Sequence, residues 1–221
     1  MNRHLSISIA SILALSTPSI VNAQLYATTD IGGVPTVSGA TLENFDEPTP
    51  SILTLSGSAY LLQTTFGGIP NVAPPYLSGA TAAFFGETPA NGYDNSQFVV
   101  VQIGGSATLN FSTPQTYLGL LWGSVDAGNA LTFYDSANNV IGTVLGSDLS
   151  GVPVTGSFLP SGSPYVDITS ATPFSRVVAT SSRNSFEFDD VAYALVVPEP
   201  ASLSLLVFGM FGITLLRRRQ H

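Results

Sequence analysis

The sequence predicts an all-β fold, a jelly-roll-like β-sandwich, for residues 24–197. Short apolar or alternating segments recur through this region, and Gly, Pro, Ser, Thr and Asn separate them about every eight to twelve residues. No internal window shows a convincing helical period. The region holds about 174 residues, enough for one hydrophobic core, and many short strands joined by such turns favour two packed sheets.

The predicted strands follow one another with short polar connections. In chain order they are 41–45, 52–55, 97–103, 107–111, 117–122, 130–134, 140–144, 176–179, 185–188 and 191–193. Residues 135–139 predict a hairpin connection, because asparagine tolerates left-handed backbone geometry. Alternation shifts by one residue after Phe188, which predicts a β-bulge at Asp189 and Asp190 that turns a carboxylate outward.

Residues 1–23 predict a cleaved signal peptide for export. A short basic start and an apolar core at residues 5–15 precede a helix-breaking Pro18. Small residues then end at Ala23 in the pattern that signal peptidase reads, so cleavage is expected between Ala23 and Gln24. The apolar core is too short to span a bilayer comfortably as an uncleaved anchor.

Residues 198–221 predict a single transmembrane helix that follows Pro198, Glu199 and Pro200. Residues 201–216 carry no charge, and a helix of that length reaches roughly 24 Å, close to a bilayer core of about 30 Å. The helix ends at three consecutive arginines, which stay in the cytoplasm by the positive-inside rule and place the preceding chain outside. They are Arg217, Arg218 and Arg219. Glu199 is costly in hydrocarbon, so the proline-rich entry is expected at the outer interface.

This tail resembles the PEP-CTERM sorting domain, whose parts in order are Pro-Glu-Pro, a short apolar span and a terminal arginine cluster. The resemblance covers residues 198–219, about a tenth of the chain. It implies an exported precursor held transiently in the inner membrane of a Gram-negative bacterium, cut near the motif by an exosortase, and released to the cell surface or extracellular matrix. From the residues alone, an anchor that is never cut is the alternative.

The composition of residues 24–197 excludes several kinds of chemistry. This region has no Cys, His, Lys or Met. It contains two arginines and thirteen acidic residues, which give a net charge of −11. A Ser-His-Asp triad, a cysteine nucleophile, a Schiff-base lysine and a histidine- or thiolate-bound zinc are therefore impossible. Nucleic acid is not an expected partner, because two arginines cannot neutralise a phosphate backbone.

Trp122 and Asp126 form the first candidate binding site. They belong to the segment Trp-Gly-Ser-Val-Asp at residues 122–126, next to a predicted turn. An exposed tryptophan there could stack on a sugar face, but a core position is favoured, because Trp122 continues an apolar strand. This segment and Phe-Glu-Phe-Asp-Asp-Val-Ala-Tyr at residues 186–193 resemble segments that recur in one group of PEP-CTERM proteins. The resemblance implies an exopolysaccharide-associated location without a known activity, and Asp190 stands where that pattern usually has asparagine.

Carboxylates form the second candidate site. With only oxygen ligands available, any bound metal is expected to be calcium. First and last strands often pair in a jelly roll, which would bring Glu43 and Asp46 near Asp189 and Asp190. The alternative is that these acids are solvated charges that protect sheet edges. A glycoside hydrolase that uses Glu43 and Glu187 is chemically allowed, but both are expected to face out of short strands with no cleft.

The sequence therefore predicts a structural or adhesive protein that is not an enzyme. Its expected partners are signal peptidase, exosortase, the inner membrane and exopolysaccharide. The alternative from another class is a carbohydrate-binding module, which an exposed Trp122 in a polar groove would favour.

Overall fold

The computed structural model describes residues 25–46, 52–65, 67–183 and 185–196, and the all-β prediction is confirmed. Four parts of the predicted signals lie outside the described residues: the cleavage site at Ala23 and Gln24, the Pro198–Pro200 segment, the apolar run 201–216 and the arginines 217–219. Within the described ranges, no helix combines the length and the apolar character needed to cross a membrane.

The described ranges contain ten strands and one short α-helix. They are β1 (Leu25–Asp30), β2 (Thr41–Glu43), β3 (Leu53–Ser56), β4 (Ala59–Leu62), α1 (Thr81–Phe85), β5 (Phe98–Val101), β6 (Ser106–Gly123), β7 (Asn129–Tyr134), β8 (Val140–Leu145), β9 (Tyr165–Ser181) and β10 (Phe186–Ala194). Two single-turn 3₁₀ helices, Gly146–Asp148 and Pro160–Gly162, lie between β8 and β9.

The strands form one hydrogen-bonded sheet in which every described ladder is antiparallel. Its main order is β4-β5-β10-β6-β9-β7-β8, with β1 beside β9, β2 beside β10 and β3 beside β6. The two long strands run through two arms of this sheet. One arm pairs β6 with β3 and the C-terminal half of β9, and the other pairs β6 with β10 and the N-terminal half of β9. The jelly-roll assignment stays a prediction.

A proline lies where each long strand passes from one arm to the other. The β6–β9 ladder is regular up to Asn110, breaks register, and becomes regular again at Tyr117. Pro114 falls in that break on β6, and Pro173 falls in the matching stretch of β9. Proline cannot donate to a ladder, so these positions interrupt pairing and allow the sheet to change direction. Two separate strands, 107–111 and 117–122, were predicted where the structure has the single strand β6.

The core lies between the two arms. Leu109, Phe133 and Val177 of one arm share a buried cluster with Trp122 and Phe188 of the other. On β10, β6 and β5, alternate side chains enter this core, and the remaining ones point to the outer face, as the two-residue period of a strand requires.

The outer face of the second arm is also buried, which sequence alternation did not predict. Residues 67–97, which we call the covering segment, connect β4 to β5 and pack across this face. Leu77 of the covering segment clusters with Leu121 and Tyr165 of the sheet, and Pro75 lies against Gly123. Side chains that point away from the core on β10 are therefore enclosed.

Two local predictions are confirmed and one is wrong. Residues 135–139 connect β7 and β8, where the Asp135 N–H donates to the Asn139 carbonyl and Asn138 has a φ of 64°. The β10–β6 register shifts between Asp189 and Ala192, as the bulge requires. However, neither carboxylate of that bulge turns out to solvent, because the covering segment lies over it. Strands β1 and β4, the first half of β9 and helix α1 were not predicted.

Candidate functional site

Four carboxylates meet between the covering segment and β10, and we call Glu87, Asp94, Asp189 and Asp190 the acidic cluster. Carboxylate oxygens of the first three lie within 4.8 Å of one another. Glu87 follows α1 and Asp94 precedes β5, whereas the two neighbouring aspartates belong to the bulge of β10. Asp94, Asp189 and Asp190 are 0–1% exposed, so three of the four acids are fully enclosed.

Asp190 lacks hydrogen-bond donors for its carboxylate. Its backbone is in the left-handed region, with a φ of 54°. Its N–H donates to Asp189 Oδ1 at 2.7 Å, and its carbonyl accepts from the Tyr165 hydroxyl at 3.1 Å. Both backbone groups are thus satisfied, yet neither side-chain oxygen has a hydrogen-bond partner although both are buried. A hydrogen bond to the neighbouring Glu87 carboxyl would require a proton on one of the two groups.

Ser96 lies among the remaining carboxylates. Its hydroxyl oxygen is 2.6 Å from Asp94 Oδ1, 3.2 Å from Glu87 Oε1 and 3.4 Å from Asp189 Oδ2. A hydroxyl has one proton, so it donates to one of these acceptors at a time. The second oxygens of Glu87 and Asp94 are buried without a partner, like those of Asp190. The acidic cluster therefore has more acceptor oxygens than donors.

Burial and the neighbouring negative charges both raise the pKa values of Glu87, Asp189 and Asp190. Burial, then the charge of Asp94, raises the pKa of Glu87 to about 7. Burial first, with neighbouring carboxylates second, raises the pKa values of Asp189 and Asp190 well above the ordinary value. The two described arginines lie elsewhere: Arg176 has its guanidinium carbon 3.8 Å from the centre of the Tyr134 ring, and Arg183 lies beside Gly128.

The structure places the predicted calcium ligands differently. β2 does pair with β10, with Glu43 opposite Val191. Glu43 nevertheless accepts from the Phe45 N–H within its own turn at 2.9 Å. Asp46 accepts from the Gln97 N–H at 2.9 Å, and its charge still acts on the acidic cluster. Of the predicted ligands, Asp189 and Asp190 thus belong to the cluster, and Asp46 lies near enough to influence it.

Sequence reasoning missed Glu87 and Asp94. They are the only acids in residues 48–125, and that isolation was an available signal. Their spacing from β10 carried no information, since the contact joins positions about a hundred residues apart and depends on where the covering segment packs.

Trp122 is a core residue, as its apolar strand favoured, and does not face a ligand. Its side chain is 0% exposed and stacks on Phe186, with ring centres 4.4 Å apart and planes 25° apart. The indole N–H points to Asn129 Oδ1 at 3.5 Å. Trp122 lies on the core-facing side of β6 and has a polar partner, as the favoured interpretation required.

Asp126 lies in a cleft of about 360 Å³. Other lining residues are Asn71, Ser124, Thr155 and Ser185, together with the side chain of Phe158, which is 46% exposed. Asp126 Oδ1 also accepts from the Gly128 N–H at 2.7 Å, which holds the loop after β6 in place. The cleft thus combines one accessible aromatic ring with several polar groups.

Glu187 is enclosed behind this cleft, and the expectation that it faces outward is wrong. It is 1% exposed, and its oxygens accept from the Ser124 hydroxyl at 2.6 Å and the Ala73 N–H at 3.3 Å. Burial raises its pKa to about 7. Glu43 and Glu187 accept hydrogen bonds from different groups, and neither is among the residues that line the cleft. The geometry offers no paired carboxylates of a glycosidase there.

Solved structures to which the chain has low similarity include three carbohydrate-binding modules. One is a family 6 module (13% identity, 71% of this chain and 95% of that chain, TM-score 0.38). Another is CsCBM6-3 from Clostridium stercorarium in complex with cellobiose (13%, 75% and 99%, TM-score 0.37). The third is the C-terminal family 22 module of Clostridium thermocellum Xyn10B (15%, 74% and 99%, TM-score 0.30). TM-scores this low carry no argument about function. No curated protein matches the sequence.

The tail gives a specific match. Residues 196–219 match the family described as the PEP-CTERM protein-sorting motif. The matched stretch contains Pro198, Glu199 and Pro200, the uncharged run and the three arginines, which are the parts that carried the resemblance in the sequence. The chain is a PEP-CTERM sorting domain-containing protein.

Proposed function

We propose that this protein is a structural or adhesive component of the bacterial surface or extracellular matrix, linked to exopolysaccharide and released from its membrane-held precursor by exosortase. The match at residues 196–219 carries this proposal, because the PEP-CTERM motif indicates an exported precursor that is sorted to the cell surface. A Gram-negative source and a matrix role follow from the resemblance of the tail and are part of the proposal.

The position of the motif relative to the fold supports release of an intact domain. β10 ends at Ala194, and Val196 is held to Thr116 by two hydrogen bonds of 2.8 and 3.1 Å. Pro198 follows almost at once. Cleavage near the Pro-Glu-Pro segment would therefore leave every described strand attached to the released product.

Processing is tested in the producing cells with Glu199→Ala. The substitution is expected to leave the precursor in the membrane fraction, and mass spectrometry of the wild-type surface fraction is expected to find peptides that end before the apolar run. Asp30→Ala, which removes an exposed acid at the end of β1, is the matched control and should be released normally. Intact Arg217–Arg219 in the released fraction, or unchanged release of Glu199→Ala, would contradict the proposal.

A carbohydrate-binding role is the second candidate, and the cleft at Asp126 favours it. An exposed phenylalanine beside carboxylate, amide and hydroxyl groups offers an apolar platform for a sugar face and hydrogen-bonding groups for its hydroxyls. Trp122, the residue first considered for this role, is not available because it is buried.

A glycan-array screen of the full-length chain in detergent tests this second role. Phe158→Ala should abolish binding, because it removes the aromatic surface. Leu159→Ala is the matched control, since Leu159 is the neighbouring exposed apolar residue (58%) and is not among the residues that line the cleft. Binding that survives Phe158→Ala would place carbohydrate recognition elsewhere.

A further inference from the structure

The described arginines and hydrogen-bond donors do not neutralise the negative charge of the acidic cluster. Glu87, Asp94, Asp189 and Asp190 are close together, three of them are enclosed, and the described arginines lie elsewhere. A buried charge is costly unless it is paired, hydrogen-bonded or bound to a metal. Protons or a cation must therefore supply the missing positive charge.

An independent observation points to a ligand. The carboxylate of Asp190 is fully buried, and neither of its oxygens accepts a hydrogen bond. Asp190 is not one of the three acids whose oxygens lie within 4.8 Å of one another, yet its charge interacts with Glu87 and Asp94 of that group. An unpartnered oxygen of Asp94 is buried as well. Such oxygens are what a hard cation binds.

We propose that Glu87, Asp94, Asp189 and Asp190 bind one calcium ion, which fastens the covering segment to the bulge of β10. The first two ligands come from the covering segment and the last two from the sheet. The only helix or strand in the covering segment is the five-residue α1. The ion would thus fasten this weakly structured segment to β10. The proposal goes beyond surface sorting and does not depend on it.

The ligand chemistry favours calcium over other common metals. Calcium takes about six to eight oxygens at 2.3–2.6 Å, so two of its ligands lie at most about 5 Å apart. This agrees with the spacing of the Glu87, Asp94 and Asp189 oxygens, which lie within 4.8 Å of one another. Each of the four carboxylates brings two oxygens, and Ser96 adds a hydroxyl. Zinc prefers histidine or thiolate ligands, which residues 25–196 lack. Magnesium retains waters and demands stricter octahedral geometry, which suits an enclosed site poorly.

Protons compete with calcium for the same oxygens. Glu87, Asp94, Asp189 and Asp190 face one another, with Asp46 acting from the turn after β2 and Tyr165 from β9. Calcium binding requires the carboxylates to be ionised, so the ion should displace protons at neutral pH and bind weakly near pH 5. This competition separates a metal site from acids that are simply protonated.

The test is thermal unfolding of the full-length chain in a nonionic detergent, followed by fluorescence of the single, buried Trp122. Millimolar calcium at about 100 times its dissociation constant should raise the melting temperature by about 5–10 °C relative to chelator. Sodium chloride at matched ionic strength and magnesium chloride should give smaller shifts, and the calcium shift should shrink at pH 5. Equal shifts from sodium would overturn the site, and equal shifts from magnesium would overturn its assignment to calcium.

Substitutions locate the site. Asp190→Asn suits a backbone φ of 54°, because asparagine tolerates the left-handed region. In chelator this variant should melt above the wild type, since it removes one repelling charge, and its calcium shift should be lost. Asp94→Asn on the covering segment should also lose the shift. Glu187→Gln is the matched control, a buried acid of the same strand with its own donors, and should keep it.

Two results would overturn the assignment. A calcium shift that survives both Asp190→Asn and Asp94→Asn places any ion elsewhere. Hydrogen exchange gives a second readout: calcium should slow exchange at Leu77, Glu87 and Asp94 of the covering segment and leave the β7–β8 hairpin unchanged. Slowing that is uniform over the molecule would contradict a local fastening role.

Discussion

Replacing Trp122 by alanine should strongly destabilise the fold. Burying a tryptophan removes about 150–250 Å² from water, which corresponds to roughly 4–6 kcal/mol at about 25 cal/mol per Å². Measured losses for large aromatic truncations are about 3–5 kcal/mol. Trp122 is 0% exposed and stacks on Phe186. Asn129 Oδ1 keeps the Asp126 N–H at 3.0 Å as a donor, so no orphaned acceptor adds to the cost. We therefore expect a loss of about 3–5 kcal/mol.

Urea unfolding of the full-length chain, followed by circular dichroism, measures this loss, because the variant has no tryptophan for fluorescence. Tyr26→Ala is the matched control: Tyr26 is an aromatic residue of β1 that is 63% exposed, and its loss should cost less than about 0.5 kcal/mol. A loss below about 1 kcal/mol for Trp122→Ala would refute the core assignment. It would restore the possibility that the ring faces a ligand.

Two further outcomes are expected. In chelator, stability should be highest below about pH 4.5 and fall as pH rises towards about 7, because burial raises the folded-state pKa values of Glu87 and Glu187 above their unfolded values. Glu187→Gln should reduce that loss of stability by on the order of 3 kcal/mol. Urea titrations in which stability rises with pH over this interval would contradict the expected direction. In Gly119→Ala, the added Cβ would lie 2.6 Å from the Tyr117 hydroxyl and 2.7 Å from that of Tyr165. This overpacking should cost about 1–3 kcal/mol of folding stability. Unchanged thermal unfolding would show that these rings move freely.

The elements that the sequence predicted are those with local causes. The hairpin at residues 135–139 depends on asparagines within the turn, and the bulge at Asp189 depends on a shift in alternation that can be counted along one strand. The core position of Trp122 follows from a continuous apolar strand, and that of Phe188 follows from alternation along β10. The first half of β9 was missed because it mixes Asp167, one serine, two threonines and a proline with its apolar residues. Its buried polar group is satisfied only by distant partners, the Tyr117 hydroxyl and Thr36.

By itself, the sequence determined the β class, the core-facing side of β10, and the sorting signal at residues 196–219, because each depends on residues close together in the chain. Only the tertiary structure decided what covers the opposite face. Alternation shows that Glu187 and Asp189 point away from the core, but water or protein could lie beyond them. In the structure the covering segment, and not water, lies over these side chains. Its packing also brings Glu87 and Asp94 to the acids of β10. Burial then changes exposed charges into a candidate cation site.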